Sequence, residues 1–232
     1  MTTKLHLLSA GAAQGLVTAL QPRFVAATGA AVEARFGAVG AMREALQGGA
    51  PCDLFIVTAR MVEELTTAGA LQPDSARDLG RVRTGIAVRA GDAAPPVETA
   101  VQLRAALLAA PVVHFPDPER ATAGIHFARV LAALGVADAL RERCRTFPNG
   151  ATAMRELAVA TAGAIGCTQL SEIIATPGVH AVGALPREFE LATVYTAAVP
   201  TGTAQAALAA RFIELLAGPA TAPERAAAGF EP

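Results

Sequence analysis

Short apolar runs, each followed by a segment of helical periodicity, recur from the start of the chain. The runs are too short for helices, and the alanine-rich segments after them place apolar residues on one helical face. The first three such units span Leu5–Ala27, Ala31–Leu46 and Asp53–Ala68. Three strand–helix units in succession predict a parallel α/β sheet with right-handed crossovers.

A second α/β series occupies the middle of the chain. It lies between two β-rich runs, Thr84–Arg89 and Leu191–Val199, which have the pattern of long strands. We therefore expect an α/β fold of two domains with mixed, mostly parallel sheets, joined by two crossover hinge strands, with a ligand cleft between the domains. The first domain is discontinuous and the second is inserted into it, with predicted boundaries at 1–83 plus 196–232 and at 84–195.

The turns from strand to helix are the first candidate binding elements. At Ser9–Gly11 and at Val39–Gly40, the N–H groups of a helix start are left unpaired and attract anions. Two similar turns in the inserted domain place Thr122, and Asn149 or Thr152, at helix starts. One exposed helix terminus favours an anion by only about 0.3–1 kcal/mol, so several turns must converge to hold one. The alternative is that Thr122 and Asn149 only cap their helices.

Five segments carry a resemblance to a known family, and they are LLSAGAA, GAVGAMREAL, GGAPCDLFIVTARMVEEL, DPERATAG and AIGCTQLSE. From about Leu5 to Phe230 the chain resembles the type II periplasmic solute-binding proteins, specifically the molybdate-binding family. The resemblance implies the type II periplasmic binding protein fold. It also implies that the ligand is held by Ser9, Ala10, Gly11, Val39, Gly40, Thr122, Ala123, Ala151, Thr152 and Thr168 or Gln169, to which the turn pattern adds Asn149.

The chain departs from that family's pattern at two places. Ala38-Val39 stands where molybdate binders commonly have a serine, and Cys167-Thr168-Gln169 stands where they commonly have a tyrosine. The loss of two hydroxyl donors disfavours a tetrahedral oxyanion, because a buried charge needs nearly complete hydrogen bonding. We therefore expect a solute-binding protein for a small anion, an organic carboxylate in preference to molybdate, with the Gln169 amide contributing.

The composition narrows the partners further. The chain is 53% hydrophobic and 17% charged with a net charge of −1, and its arginines form no basic stripe. It is therefore expected to be globular, with no nucleic-acid partner and no membrane insertion. The three cysteines, Cys52, Cys144 and Cys167, lie far apart without a CxxC pair, so we expect reduced thiols and no metal. No phosphate loop is found, and no cofactor is expected.

The N-terminal segment bears on the location of the protein. Lys4 precedes an uncharged stretch, but His6, Ser9 and Gln14 interrupt the compact apolar segment that a secretion signal requires. The expected location is cytoplasmic, or periplasmic if a native signal segment has been removed. The resemblance implies an ABC transporter as partner only if the protein is exported.

An alternative function is a cytoplasmic isomerase of small di- or tricarboxylic acids, because aconitate isomerase is similar to this family. Such an enzyme moves a proton in an allylic carboxylic acid and needs a general base, with donors that stabilise the enolate-like charge. The candidate bases are His126, in the helix that follows Thr122, and Glu172, three residues after Gln169. The competing interpretation is that both are helix residues without a catalytic role.

Overall fold

The structure is a computed structural model that describes residues 3–232, so Met1 and Thr2, with which the predicted first domain begins, lie outside the described residues. Strands and helices alternate along most of the chain. In chain order they are β1 (Lys4–Ala10), α1 (Gln14–Thr28), β2 (Ala31–Gly37), α2 (Val39–Gln47), β3 (Leu54–Thr58), α3 (Ala59–Thr67), β4 (Arg77–Arg89), α4 (Ala100–Ala109), β5 (Val113–Pro116), α5 (Thr122–Ala133), α6 (Ala137–Leu140), β6 (Cys144–Phe147), α7 (Gly150–Ala158), β7 (Ile165–Gln169), α8 (Leu170–Ile174), β8 (Val179–Ala184), β9 (Ala192–Ala198), α9 (Ala206–Ala217) and α10 (Ala222–Ala227).

The chain divides into two compact units. Unit 1 comprises the described residues up to Val82 together with Thr193–Pro232, and unit 2 comprises Arg83–Ala192. Strand β4 begins in unit 1 and continues into unit 2. Both units interleave strands with helices, which confirms the predicted α/β class.

The sheet of unit 1 has the strand order β2-β1-β3-β9, and β9 neighbours β4. Strand β1 pairs in parallel with β2 and β3, whereas β3 and β9 are antiparallel. The apolar run of β1 forms a central strand because its leucines, such as Leu5 and Leu7, are buried. Helices α1 and α9 pack through stacked rings of Phe24 and Phe212, whose centroids lie 4.3 Å apart. Because β1 is parallel to both β2 and β3, the carboxyl ends of these three strands share one edge of the sheet.

The sheet of unit 2 has the order β4-β7-β5-β6, with β8 paired to the other side of β4. Strand β5 is parallel to β6 and β7, while β4 is antiparallel to β7 and β8. The core packs helix α5 on β5, with Phe115 and Phe127 edge to face at 5.3 Å between ring centroids. Gly85 in β4 has no room for a side chain, because a Cβ atom there would lie 2.4 Å from Leu170 and 2.6 Å from the Gly183 carbonyl oxygen.

Several element boundaries differ from the sequence prediction. Strand β4 begins at Arg77, not at Thr84, and three elements, α6, β8 and α10, were not predicted. The strand β8 lies at the edge of the sheet and is only half-buried, so its residues lack the apolar run that marks β5 and β7.

Candidate functional site

The first turn of unit 1 follows β1. Ser9 is fully buried, and its hydroxyl donates to the carbonyl oxygen of Ala10 at 2.9 Å. Ala10 leads into a single 3-10 turn, Gly11–Ala13, before helix α1, and no side chain caps that turn. The Ser9 hydroxyl proton is thus used by the carbonyl group of the next residue, and the lone pairs of the hydroxyl oxygen remain as acceptors.

The second turn of unit 1 lies beside the first. Ser9 is opposite Phe36 and Ala10 is opposite Gly37 in the parallel register of β1 and β2. Val39 and Gly40 then open helix α2 without a side-chain cap. Because β1 and β2 are parallel neighbours, unit 1 brings these two predicted turns to the same edge of its sheet.

In unit 2, helix α5 begins directly after β5. The prediction that Thr122 caps this helix is wrong, because Ala121 is the N-cap residue and Thr122 and Ala123 are the first helical residues, with no side-chain cap. The first turn of α5 lies very close to the preceding loop. A Cβ atom on Gly124 would lie 2.3 Å from the carbonyl oxygens of Pro116 and Asp117. The helix start is therefore positioned by backbone contact with the end of β5.

Helix α7 has the cap that the sequence predicts. Asn149 is its N-cap, and the Oδ1 atom accepts hydrogen bonds from the Thr152 N–H at 2.9 Å and from the Thr152 hydroxyl at 3.0 Å. The same hydroxyl accepts from the Arg155 guanidinium at 2.9 Å. The side chains of Asn149 and Thr152 are therefore engaged with each other, which agrees with the capping alternative.

Glu172 belongs to helix α8, and its side chain lies against the start of helix α7. Its Oε2 atom accepts a 2.5 Å hydrogen bond from the Thr168 hydroxyl, and its carboxylate also accepts from the backbone N–H groups of Gln169 and Ala151. A Cβ atom on Gly150 would lie only 2.0 Å from both Glu172 Oε2 and Thr168 Oγ1. Burial raises the pKa of Glu172 above its usual range although these three hydrogen bonds act in the opposite direction.

Gln169 and Thr84 form a buried pair without hydrogen-bond partners. They face each other in the antiparallel register of β7 and β4, and their exposed fractions are 2% and 0%. Within residues 3–232, the Nε2 and Oε1 atoms of Gln169 have no hydrogen-bond partner, and the Thr84 hydroxyl has none either. An unpaired buried polar group costs about 1–3 kcal/mol. Such atoms are the ones that a bound ligand would satisfy.

His126, the second candidate base, has a different hydrogen-bond partner from Glu172. The His126 Nε2 atom is 2.7 Å from the carbonyl oxygen of Phe189. Since a carbonyl oxygen only accepts, Nε2 donates and the lone pair of the neutral ring lies on Nδ1. No hydrogen bond joins His126 to Glu172 in the part of the chain that the structure describes. The structure therefore gives His126 a positional role in anchoring the segment around Phe189.

The described residues include neither a cluster of metal ligands nor a single helix that could span a membrane. Among them no group of three or more His, Cys, Asp or Glu side chains could hold a metal ion. No single described helix has the length and apolar character needed to cross a membrane. Two successive helical segments, Thr122–Ala133 and Ala137–Arg143, have that length and character together, but the chain bends by 118° between them. Unit 1 has a recess of about 310 Å³ beside Thr28 and Arg211, and none of the predicted ligand residues lines it.

A family model for bacterial extracellular solute-binding proteins matches residues 5–231. The chain belongs to this family. Its fold is that of the type II periplasmic binding proteins, as the resemblance implied. The periplasmic molybdate-binding protein of Azotobacter vinelandii superposes with a TM-score of 0.83 at 23% identity, covering 98% of this chain and 99% of that one. The sulfate-binding protein SubI of Mycobacterium tuberculosis gives a TM-score of 0.78 at 20% identity, with 99% and 87% covered.

This solute-binding protein also has an enzyme among its relatives. An aconitate isomerase from a Pseudomonas species is 25% identical over 236 residues, covering 99% of this chain and 88% of the isomerase. The structural likenesses establish the fold, and the isomerase is a distant homologue.

Sequence reasoning missed two features of unit 2. Thr84 was assigned to a hinge strand without a binding role, because one polar residue beside an apolar run carries no functional signal of its own. The placement of Glu172 at the start of α7 was missed as well. A signal for it existed in the spacing of Thr168 and Glu172, which places a hydroxyl and a carboxylate on either side of one strand-to-helix turn.

Proposed function

We propose that this solute-binding protein holds a small anion and that the anion is an organic carboxylate rather than molybdate. The observation that carries the proposal is the buried, unpaired amide of Gln169. A neutral amide with a free donor and a free acceptor suits a ligand with mixed polar groups. Its position at the end of β7 is also the one to which the family resemblance assigns ligand contact.

The occupation of the α7 start supports the choice of a carboxylate. The Thr168 hydroxyl and the N–H groups of Gln169 and Ala151 all donate to Glu172. These three donors were among those expected to hold the anion. A tetrahedral dianion requires nearly complete hydrogen bonding, and unit 2 has three fewer donors to offer it. Each carboxylate group of an organic acid carries one charge, spread over two oxygens, and so needs fewer donors at one place than a tetrahedral dianion does.

A panel of anions tests the proposal. The full chain would be titrated with molybdate, sulfate, citrate, and cis- and trans-aconitate by calorimetry, with thermal shifts as a second readout. A ligand at about 100 times its Kd adds about 2.7 kcal/mol of stability, or roughly 5–10 °C for a chain of this size. Stabilisation by molybdate and by none of the carboxylates would refute the choice of ligand. If no anion binds, the proposal fails entirely.

Two variants sharpen that test. We expect Gln169→Leu to weaken carboxylate binding, because it replaces the unpaired amide with an apolar side chain of similar size. The matched control is Gln47→Leu, at an exposed position near the end of α2. An equal effect of both substitutions on affinity would show that the Gln169 amide has no part in binding.

The location of the protein decides its partner. We propose a cytoplasmic protein, with an ABC transporter as partner only if the protein is exported. Fractionation of cells that express the native gene product tests this. Recovery in the periplasmic fraction would refute the cytoplasmic location and make a transporter the expected partner.

The second candidate function is an isomerase of small di- or tricarboxylic acids. Two observations favour it: the homologous aconitate isomerase, and the buried Glu172 carboxyl, whose pKa is raised by burial, as is common for groups that transfer protons in active sites. In such a reaction a base removes a proton from one carbon of the allylic system and an acid returns one to the other, so no atoms are gained or lost. An ultraviolet assay of cis- and trans-aconitate interconversion tests it. Turnover abolished by Glu172→Gln supports the enzyme, and binding without turnover excludes it.

A further inference from the structure

We propose that Gln169 and Thr84 form a subsite for a hydroxyl group, so that the protein selects hydroxycarboxylic acids over the same acids without the hydroxyl. This inference rests on the proposed function, because it specifies which organic carboxylates the protein binds. It concerns a pair of residues in unit 2 whose polar atoms are buried and unpartnered among the described residues.

The hydrogen-bonding capacity of the amide sets the requirement. Gln169 offers N–H donors at Nε2 and acceptor lone pairs at Oε1, and both atoms lack partners in the described structure. A carboxylate or another oxyanion has only acceptors, so it can satisfy Nε2 and leaves Oε1 unpaired. A hydroxyl supplies an acceptor for Nε2 and a proton for Oε1. The conclusion is the same whichever way the amide is oriented, because neither atom has a partner.

Thr84 completes the subsite from the neighbouring strand. It faces Gln169 directly in the β4–β7 register, and side chains at such paired positions have Cβ atoms about 4.5–5.5 Å apart. Its hydroxyl also lacks a described partner and can both donate and accept. A ligand hydroxyl between the two side chains would therefore find a partner for each of its polar functions.

The adjacent hydroxyl cannot take the place of Thr84. Thr168 precedes Gln169 in β7, and successive strand residues point to opposite faces of the sheet. Its hydroxyl already donates to Glu172 at 2.5 Å. The backbone N–H of Gln169 donates to Glu172, but the side chains of Gln169 and Thr84 have no hydrogen bond to the Thr168–Glu172 pair in the described structure. Side-chain substitutions can therefore test the two separately.

Matched pairs of acids test the subsite. Calorimetric Kd values would be compared for malate against succinate and for citrate against propane-1,2,3-tricarboxylate, each pair differing by one hydroxyl. We expect the full chain to bind the hydroxy acid about 5- to 150-fold more tightly, since the other acid leaves a buried amide acceptor unpaired.

Substitutions assign the preference to its residues. Gln169→Leu and the isosteric Thr84→Val should each reduce the hydroxy-to-deoxy affinity ratio at least about fivefold, with Gln47→Leu keeping the wild-type ratio. Circular dichroism and the melting temperature check that each variant is folded. A wild-type ratio in both folded variants would overturn the assignment.

The two proposals fail in different ways. If the carboxylates bind and the two members of each pair bind equally, the hydroxyl subsite is refuted and the organic-carboxylate function stands. If none of the carboxylates binds, the proposed function is refuted and the subsite with it.

Discussion

Substitution of Gly150 by alanine tests the packing at the start of α7. Gly150 is the first residue of the helix, and an added Cβ atom would lie 2.0 Å from Glu172 Oε2, 2.0 Å from Thr168 Oγ1 and 2.5 Å from Glu172 Cδ. Non-bonded heavy atoms at optimal separation are about 3.5–4.0 Å apart. The carboxyl and the hydroxyl must therefore move away from the helix start.

The expected cost combines three contributions. Overpacking a filled interior costs about 1–3 kcal/mol, and displacement of the carboxyl weakens hydrogen bonds to a charged group that are worth about 1.5–3 kcal/mol each. The higher helix propensity of alanine returns at most about 1 kcal/mol. We expect Gly150→Ala to lower the free energy of unfolding by about 2–4 kcal/mol and Tm by roughly 5–15 °C.

Urea unfolding with calorimetric melting measures the change. The control is Gly183→Ala, where the added Cβ atom would be 4.0 Å from Val97 Cγ2, an ordinary contact. The sharper test uses a background of Thr168→Ala with Glu172→Ala, which removes the obstructing atoms. There Gly150→Ala should stabilise the chain by up to about 1 kcal/mol. The reasoning is refuted if Gly150→Ala costs the same in both backgrounds, or no more than the Gly183 control.

Three further predictions concern the cap, the buried carboxyl and the thiols. Asn149→Ala should cost about 1 kcal/mol in urea unfolding through loss of the α7 cap, whereas Asn149→Asp should retain most of the stability; equal costs would contradict the capping role. Because the folded-state pKa of Glu172 is raised, its contribution to stability is fully present below the unfolded-state value and is lost as the pH rises through the folded-state value. The stability of the wild type relative to Glu172→Gln should therefore fall with increasing pH above about 4.5, and a difference independent of pH would count against it. Burial raises the pKa of all three thiols, that of Cys52 to about 12; we expect slow labelling by a thiol reagent at pH 7 in the folded chain and three rapidly reacting thiols in denaturant. Rapid labelling of the folded chain would show that the thiols are more accessible than the structure indicates.

The success of sequence reasoning followed the strength of the local signal. The buried strand β3 is a short apolar run and helix α3 begins where the run breaks, so this strand–helix unit was predicted within a residue or two. The first half of β4 was missed because charged residues interrupt it, from Arg77 to Arg83. The edge strand β8 was missed because it is half-buried and carries Gly and Ala residues.

The site was predictable only where it depends on local turns. The Asn149 cap involves residues three positions apart, and it was anticipated. The pairing of Thr84 with Gln169 depends on the register of two strands far apart in sequence. The contact of Glu172 with the start of α7 likewise depends on how two helices pack. Periodicity does not encode such long-range register, so the turns were found and the partners of their polar atoms were not.

Because Glu172 is part of the chain, the start of α7 has a tethered carboxyl group as its hydrogen-bond acceptor. The short path from Thr168 to Glu172 keeps the carboxylate at a high effective concentration beside the N–H group of Ala151. An anion in solution would have to compete with an intramolecular group that pays no entropy of association. Shortening the side chain at position 172 would remove this competitor, and small carboxylates such as formate could then reach a helix terminus that the native chain reserves for itself.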